Sequence, residues 1–196
     1  MPEPLWKPQL SKPDVFRNLE FTEIAEEAWE RPGREMRSGY DLKTARRSMN
    51  LMTIEWQNRG INMWTIEEKT IDLVKGTATY DLPADTIDIM EQVIRTNNGI
   101  TATQSDLNIS RISFATYSSI PNKLTQARPI QIVVHRLRDA PQVTLWPVPD
   151  QGTALAPFYV LKYWRMRRIQ DAGSGVETPD MTFRFLPVVV AGLAYY

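Results

Sequence analysis

Residues 38–60, SGYDLKTARRSMNLMTIEWQNRG, contain the clearest secondary-structure pattern in the chain. Apolar residues recur at alternating spacings of three and four, which places them on one face of a helix. They are Leu42, Ala45, Met49, Met52 and Trp56. Ser38 and Asp41 stand at capping-box spacing, and Asn58-Arg59-Gly60 provides a stop because glycine accepts the left-handed conformation that follows many helices. The stretch predicts a long helix with one buried face.

A shorter helix is predicted before it, and an extended arm before that. Thr22 can cap the short helix, and Pro32-Gly33 ends it. Its apolar stripe consists of Ile24, Ala25, Ala28 and Trp29. Residues 1–20 carry prolines at positions 2, 4, 8 and 13, which disfavour a helix. We expect an extended arm whose Trp6 docks on a neighbour, with a disordered tail as the alternative, followed by a helical hairpin over 21–63.

After Trp64 the pattern changes from helical to alternating. Strands are predicted around Ile71 and Leu73 and, after a turn at Gly76, at a return strand over 77–83. Further strands are predicted at 85–95, 129–137, 142–147 and 158–165, whereas residues 106–120 are ambiguous, with one short helix as an option. Residues 170–181 form a loop, and a helix follows from Thr182, with Pro187 in its first turn. The predicted fold class is α+β. It is a small helical bundle with an inserted, antiparallel β-rich subdomain at 64–168, and residues 169–196 supply a loop and a C-terminal helix that packs with 21–63.

Composition excludes several classes of protein. Among the 196 residues there are 23 basic and 23 acidic side chains, whereas a protein that grips nucleic acid through its phosphates is normally basic. The absence of cysteine excludes disulfides and thiolate sites. The N-terminus lacks the pattern of a signal peptide, and no apolar run is long enough to predict a membrane segment. We expect no cofactor and no metal.

Charge is nevertheless uneven along the sequence. Residues 31–59 contain seven basic and three acidic side chains, and residues 67–91 contain seven acidic and two basic ones. Opposite blocks in a neutral protein indicate complementary contact between copies. Unrelated solvated faces are the alternative.

The sequence offers little catalytic chemistry. It has no phosphate-binding loop, no nucleophile elbow and no zinc-protease motif. The single histidine, His135, lies in the strand-like run IVVHRL and is interpreted as a half-buried or surface strand residue. Carboxylate pairs remain, and a glycosidase acting on peptidoglycan could use two of them. The pairs are Glu26 with Glu27, Glu67 with Glu68, and Asp85 with Asp88. We assign no catalytic residue and expect no enzyme, with the glycosidase as the alternative.

A DNA-binding module is a third hypothesis. It would use Arg46 and Arg47 together with a basic cluster after an aromatic strand. That cluster consists of Lys162, Arg165, Arg167 and Arg168. Such side chains can also lie around the edge of a core, and we favour that interpretation.

Several segments in order resemble the head-to-tail adaptor proteins of short-tailed bacteriophages, also called tail tubular or tail accessory proteins. They are GYDLKTARRSMNLMTIEWQNRGINMWTIE (39–67), GTATYDLPADTIDIMEQVIR (76–95), RISFATYSSIPNK (111–123), LWPVPD (145–150), YWRMRRIQDAG (163–173) and FRFLPVVVAGLAYY (183–196). The resemblance covers about residues 21–196, and its specificity comes from the order of the pieces.

The resemblance implies a structural protein of the virion neck, made in the host cytoplasm. Such a subunit forms a ring, expected to be a dodecamer, that docks beneath the portal, extends the DNA channel, retains packaged DNA and carries the tail nozzle. DNA would pass without sequence-specific binding. The candidate assembly residues are Trp6, Arg46, Arg47, Trp56, Trp64, Phe185, Tyr195 and Tyr196. Because the sequence stops within an apolar helix, we expect the gene product to continue or this terminus to dock on another subunit.

Overall fold

The computed structural model describes residues 19–37, 39–61, 64–169 and 179–196. These residues divide into two compact units. The helical unit takes the described residues up to Ile61 and those from Ile169 onward, and the β unit takes those between them. Helices and strands occur in similar proportion, so the predicted α+β class is confirmed. Most of the predicted arm, with Trp6, lies outside the described residues, as do Ser38 and most of the 170–181 loop.

The helical unit contains α1 (Phe21–Glu30), α2 (Gly39–Asn58) and α4 (Leu186–Tyr195), the last preceded by a 3-10 turn at Phe183–Phe185. Pro187 lies in the first turn of α4, as predicted. The three helices share one apolar core. Its buried members are Phe21, Ile24, Ala25, Ala28, Ala45, Met49, Met52, Val189, Val190 and Leu193.

Helix α2 ends as its sequence predicts. Gly60 has a φ of +84°, the Ile61 N–H donates to the Trp56 carbonyl, and the Gly60 N–H donates to Gln57. These two bonds form a Schellman motif, which satisfies carbonyl groups at the end of the helix. The predicted cap of α1 at Thr22 is wrong. Glu20 is the N-cap residue and forms a capping box with Glu23, because the buried ring of Phe21 already belongs to the helix.

The β unit consists of two four-stranded sheets. The first has the strand order β1-β8-β3-β4, with strands Ile66–Asp72, Tyr159–Arg167, Thr86–Thr96 and Ser105–Asn108, and all its pairs are antiparallel. The second has the order β2-β7-β6-β5, with strands Thr79–Asp81, Gln142–Trp146, Gln131–His135 and Ser110–Arg111. Its β5–β6 pair is parallel, and the short helix α3 (Phe114–Ser118) lies between these two strands in sequence.

One strand pairs differently from the prediction. The return strand at 77–83 shrinks to β2, which pairs with β7 in the second sheet and not with β1. The turn between β1 and β2 is held internally, since the Tyr80 hydroxyl accepts the Val74 N–H at 2.9 Å and lies 3.0 Å from the Thr77 carbonyl. These bonds satisfy backbone groups that a hairpin would have paired. The chain therefore crosses from one sheet to the other at this turn.

The core of the β unit lies between the two sheets. The first sheet contributes Ile89, Ile94, Leu161 and Tyr163, together with Leu73 just after β1, and the second contributes Ile132, Val134, Val143 and Leu145. Because side chains alternate along a strand, burying this face of the first sheet turns every other residue outward. That outward set forms one of the surfaces described below.

Candidate assembly surfaces

Helix α2 carries a second row of residues, opposite its buried face. Tyr40, Leu51 and Ile54 are 72%, 53% and 47% exposed. They recur at helical spacing together with exposed Lys43, Arg47 and Asn58. At 100° per residue these six side chains fall within one narrow band. The α2 stripe, as we call it, therefore consists of Tyr40, Lys43, Arg47, Leu51, Ile54 and Asn58.

The α2 stripe is both apolar and basic. Lys43 and Arg47 are exposed and form no hydrogen bond or ion pair with the described part of the chain. Arg46, by contrast, lies at the edge of the buried face, is half-buried and has an interaction within the protein. Of the two predicted arginines, only Arg47 belongs to the stripe.

A second surface is the outward side of the first sheet. The strand registers place Ile66, Trp164 and Met166 on this side, with Glu68 and Glu91 flanking Trp164 in the same row. Ile66 is 45% exposed, and the indole and thioether beside it are half-buried. The outer face, as we call it, consists of Ile66, Glu68, Thr70, Asp72, Glu91, Val93, Arg95, Asp106, Lys162, Trp164 and Met166.

Cations on the outer face are already paired with carboxylates of the same face. Lys162 lies 3.0 Å from Glu68 and 5.8 Å from the Trp164 ring centroid. Arg95 donates to Asp106 at 2.8 Å, and that hydrogen bond holds the pKa of the Asp106 carboxyl below its ordinary value.

Two carboxylates of the outer face remain. Asp72 and Glu91 are exposed and have no hydrogen-bond or ion-pair partner among the residues described. The outer face therefore carries an excess of negative charge around an apolar centre.

The C-terminal helix packs closely on α2. A Cβ atom at Gly192 would lie 2.6 Å from the Met52 sulfur and 3.3 Å from the Trp56 ring. Trp56 is half-buried against the helical core, so this candidate assembly residue supports the fold of the unit. The Tyr196 hydroxyl donates to the Glu55 carboxylate, and this bond lowers the pKa of Glu55.

A cavity of about 260 Å³ lies between the three helices. Trp29, Leu193 and Tyr196 line it together with Arg34 and Thr44. The Thr44 hydroxyl is buried and has no hydrogen-bond partner among the described residues.

The remaining candidate residues have different surroundings. Tyr195 is 91% exposed and Tyr196 is 53% exposed at the end of α4. Phe185 is half-buried in the 3-10 turn, and Trp64 is half-buried just before β1; both have interactions within the protein. Within the helical unit, Arg47 lies on the α2 stripe whereas Trp56 packs against the core, so these two candidate residues lie on opposite faces of α2. The α2 stripe was not predicted, although the helical spacing of its residues is visible in the sequence.

The three carboxylate pairs that a glycosidase could use consist of side chains that form ion pairs with basic residues or are exposed to solvent. Arg165, only 4% exposed, donates to Glu67 and to Asp85, the latter at 2.5 Å. The hydrogen bond from Arg165 holds the pKa of Asp85 below its usual value. Burial opposes the charged form of Asp88, but hydrogen bonds from Arg111 and Arg136 still leave its pKa lowered.

A glycosidase's general acid needs a raised pKa, so these shifts have the wrong direction for one. Glu26 and Glu27 are exposed on α1, and Glu27 pairs with Arg31. His135 is half-buried in β6, with Nε2 2.9 Å from the Thr144 hydroxyl, as its sequence context indicated.

Most side chains of the second basic cluster are paired with carboxylates of the β unit. Arg165 is bound by the carboxylates above, Lys162 by Glu68, and Arg167 lies 3.8 Å from Glu67. Only Arg168 of this cluster is exposed. The interpretation as side chains around the edge of the core fits this arrangement better than a phosphate-binding groove does.

The α2 stripe and the outer face are exposed surfaces with apolar centres, of the kind that contacts between proteins use. The family model described as SU10 adaptor protein matches residues 21–196. The chain therefore belongs to this family of phage head-to-tail adaptors. No curated protein matches the sequence significantly. Membership makes the chain a structural adaptor of the phage virion, with portal and tail partners. In the described parts of the chain, no helix is long and apolar enough to cross a membrane.

Proposed function

We propose that this protein forms the adaptor ring of the virion neck, a dodecamer that docks beneath the portal. The ring extends the DNA channel, retains the packaged DNA and gives the tail nozzle its platform. The family match over residues 21–196 is the observation that carries this proposal. In its domain organisation, 1–20 is an arm, 21–63 a helical hairpin, 64–168 the β-rich insertion, and 169–196 a loop and helix that pack with the hairpin. The protein is made in the host cytoplasm and then joins the virion.

The charge of the protein supports the role of a conduit. The formal net charge is zero, and most of the basic cluster at 162–168 is neutralised within the β unit. Each phosphate that a channel neutralises adds to its affinity for DNA, so a strongly basic lining would oppose ejection. A neutral ring allows DNA to move without sequence-specific binding.

Mixing the purified protein with its cognate portal tests the proposal. Native mass spectrometry and symmetry-free image reconstruction should show twelve copies bound to one end of the portal ring. A phage portal from an unrelated neck serves as the control and should bind none. If no complex forms with the cognate portal at micromolar concentration, the proposed function is wrong, whereas a stable complex with another copy number corrects only the dodecamer.

A further inference from the structure

We propose that the α2 stripe of one copy packs on the outer face of the first sheet of the next copy. This inference rests on the proposed function, because it names the contact between neighbouring copies of the ring. The two surfaces differ and lie on different units of the chain. In a pair joined by this head-to-tail contact, one copy keeps a free outer face and the other keeps a free α2 stripe, so further copies can add until the ring closes.

The apolar centres of the two surfaces match in character. Tyr40, Leu51 and Ile54 are large side chains left about half exposed or more on a helix whose other face is already buried. The outer face offers Ile66, Trp164 and Met166. Removing both sets from water stabilises the contact, and aromatic residues such as Tyr40 and Trp164 are the usual anchors of interfaces.

The dimensions also agree. From Tyr40 to Asn58 the α2 stripe is about 27 Å long, at 1.5 Å per residue. Strand β1, which forms one edge of the outer face, is seven residues long. At about 3.4 Å per residue it is roughly 24 Å long. A helix of this length can lie along the strands of the face with most of its stripe in contact.

Charge complementarity selects the occupant. Lys43 and Arg47 lack partners in the described part of their own chain, and so do Asp72 and Glu91. A second α2 stripe would provide no carboxylate for the two cations. The predicted arm of residues 1–20 has three basic and three acidic side chains, so it has no net negative charge to offer the stripe. The acidic outer face of another copy is the occupant that neutralises them.

The experiment exchanges charge between the two surfaces. Variant H carries Lys43→Glu and Arg47→Glu, and variant S carries Asp72→Lys and Glu91→Lys. Each variant alone has two surfaces of like charge and should associate at least tenfold more weakly than the wild type. An equal mixture of H and S restores opposite charges at every contact, so it should assemble in alternation. Sedimentation velocity and mass photometry, with and without the cognate portal, measure the assembly.

A matched control separates this contact from net charge. Lys75→Glu with Arg138→Glu changes the charge as variant H does, at exposed residues outside both surfaces, and should assemble like the wild type. If the control is impaired as strongly as H, or if the mixture of folded H and S stays apart, the inference is overturned. It is also overturned if S assembles like the wild type, which would indicate contact between two α2 stripes or occupancy by the arm.

The result distinguishes this inference from the proposed function. If wild type, H and S all form equal rings on the portal, the proposed adaptor ring stands, and only the proposed contact between the α2 stripe and the outer face is wrong. If wild type fails to associate with itself or with the portal, both proposals are wrong.

Discussion

The helical unit and the β unit hold themselves together in different ways. The helical core joins residues from both ends of the chain, and Thr53 is the one buried polar residue among the described residues of this unit. The β unit is one continuous stretch, and it contains most of the buried polar residues, including Arg165. The helical unit therefore depends on close packing across a long sequence separation. The β unit adds to its packing an ion cluster that ties the start of β1 and β3 to the end of β8.

The largest expected effect comes from removing an anchor of either core. Phe21 is fully buried in the helical unit, and Leu161 is fully buried in the β unit. Phe21→Ala should cost about 3–5 kcal/mol and Leu161→Ala about 2–5 kcal/mol. Hydrogen exchange followed by mass spectrometry should show the loss of protection confined to α1, α2 and α4 for the first variant and to the strands for the second. If each variant exposed both units equally, the comparison between them would fail.

Arg165→Met removes the cation of the ion cluster and should cost about 2–3 kcal/mol. This is below the ~3–5 kcal/mol for a fully buried pair, since Glu67 and Asp85 are about one-third exposed. Urea unfolding at pH 7 measures it. Arg95→Met, at the outer-face pair with Asp106, is the control and should cost less than about 1 kcal/mol.

The same ion cluster predicts that the free energy of unfolding depends on pH in the acid range. Arg165 lowers the pKa of Asp85 in the folded state below the ordinary value of 3.8. The unfolded state therefore binds the proton more readily, and the stabilisation is fully present above pH 3.8 and lost as pH falls through the folded-state pKa. Wild-type stability should decrease from pH 5 to pH 2 more steeply than that of Arg165→Met. If the free energy of unfolding of wild type and of Arg165→Met fell equally between pH 5 and pH 2, Arg165 would not lower the pKa of Asp85 in the folded state.

Gly192→Ala tests the close approach of α4 to α2. The added methyl group meets the Met52 sulfur and the Trp56 ring, so we expect a loss of about 1–2 kcal/mol from overpacking, although alanine favours a helix. Thermal unfolding measures the change. Repeating the substitution in a Met52→Ala background, where the methyl group has room, should make it neutral or stabilising. A loss of equal size in both backgrounds would contradict the packing explanation.

Local patterns in the sequence predicted the parts of the fold that depend on neighbouring residues. The buried face of α2, its end at Gly60 and the place of Pro187 all follow from spacing and backbone preference. The cap at Thr22 was wrong because Phe21, one residue earlier, had already been recruited into the helix by the core. The partner of β2 was wrong because pairing between strands far apart in sequence leaves no local pattern.

The assembly surfaces show the same limit. Tyr40, Leu51 and Ile54 recur at helical spacing, so this second row could be seen in the sequence, but only the structure shows how much of it stays exposed. The outer face needed the register of β1, β3 and β8, which brings Glu68, Glu91 and Trp164 into one row. Likewise, nothing in the sequence linked Arg165 to Glu67, 98 positions away.

The smallest expected effect compares two glycines of the same helix. Gly60 follows α2 with a φ of +84°, whereas Gly39 is the first residue of α2, and a Cβ atom added there would have no neighbour within 4 Å. Gly60→Ala should cost about 1 kcal/mol, because a side chain strains the left-handed conformation that closes the Schellman motif. Gly39→Ala should be neutral or stabilise by up to ~1 kcal/mol, since alanine lowers the entropy of the unfolded chain. Chemical unfolding of both variants measures the difference. Equal effects would mean that the left-handed end of α2 does not contribute to the stability of the helical unit, and that its packing alone determines where the helix stops.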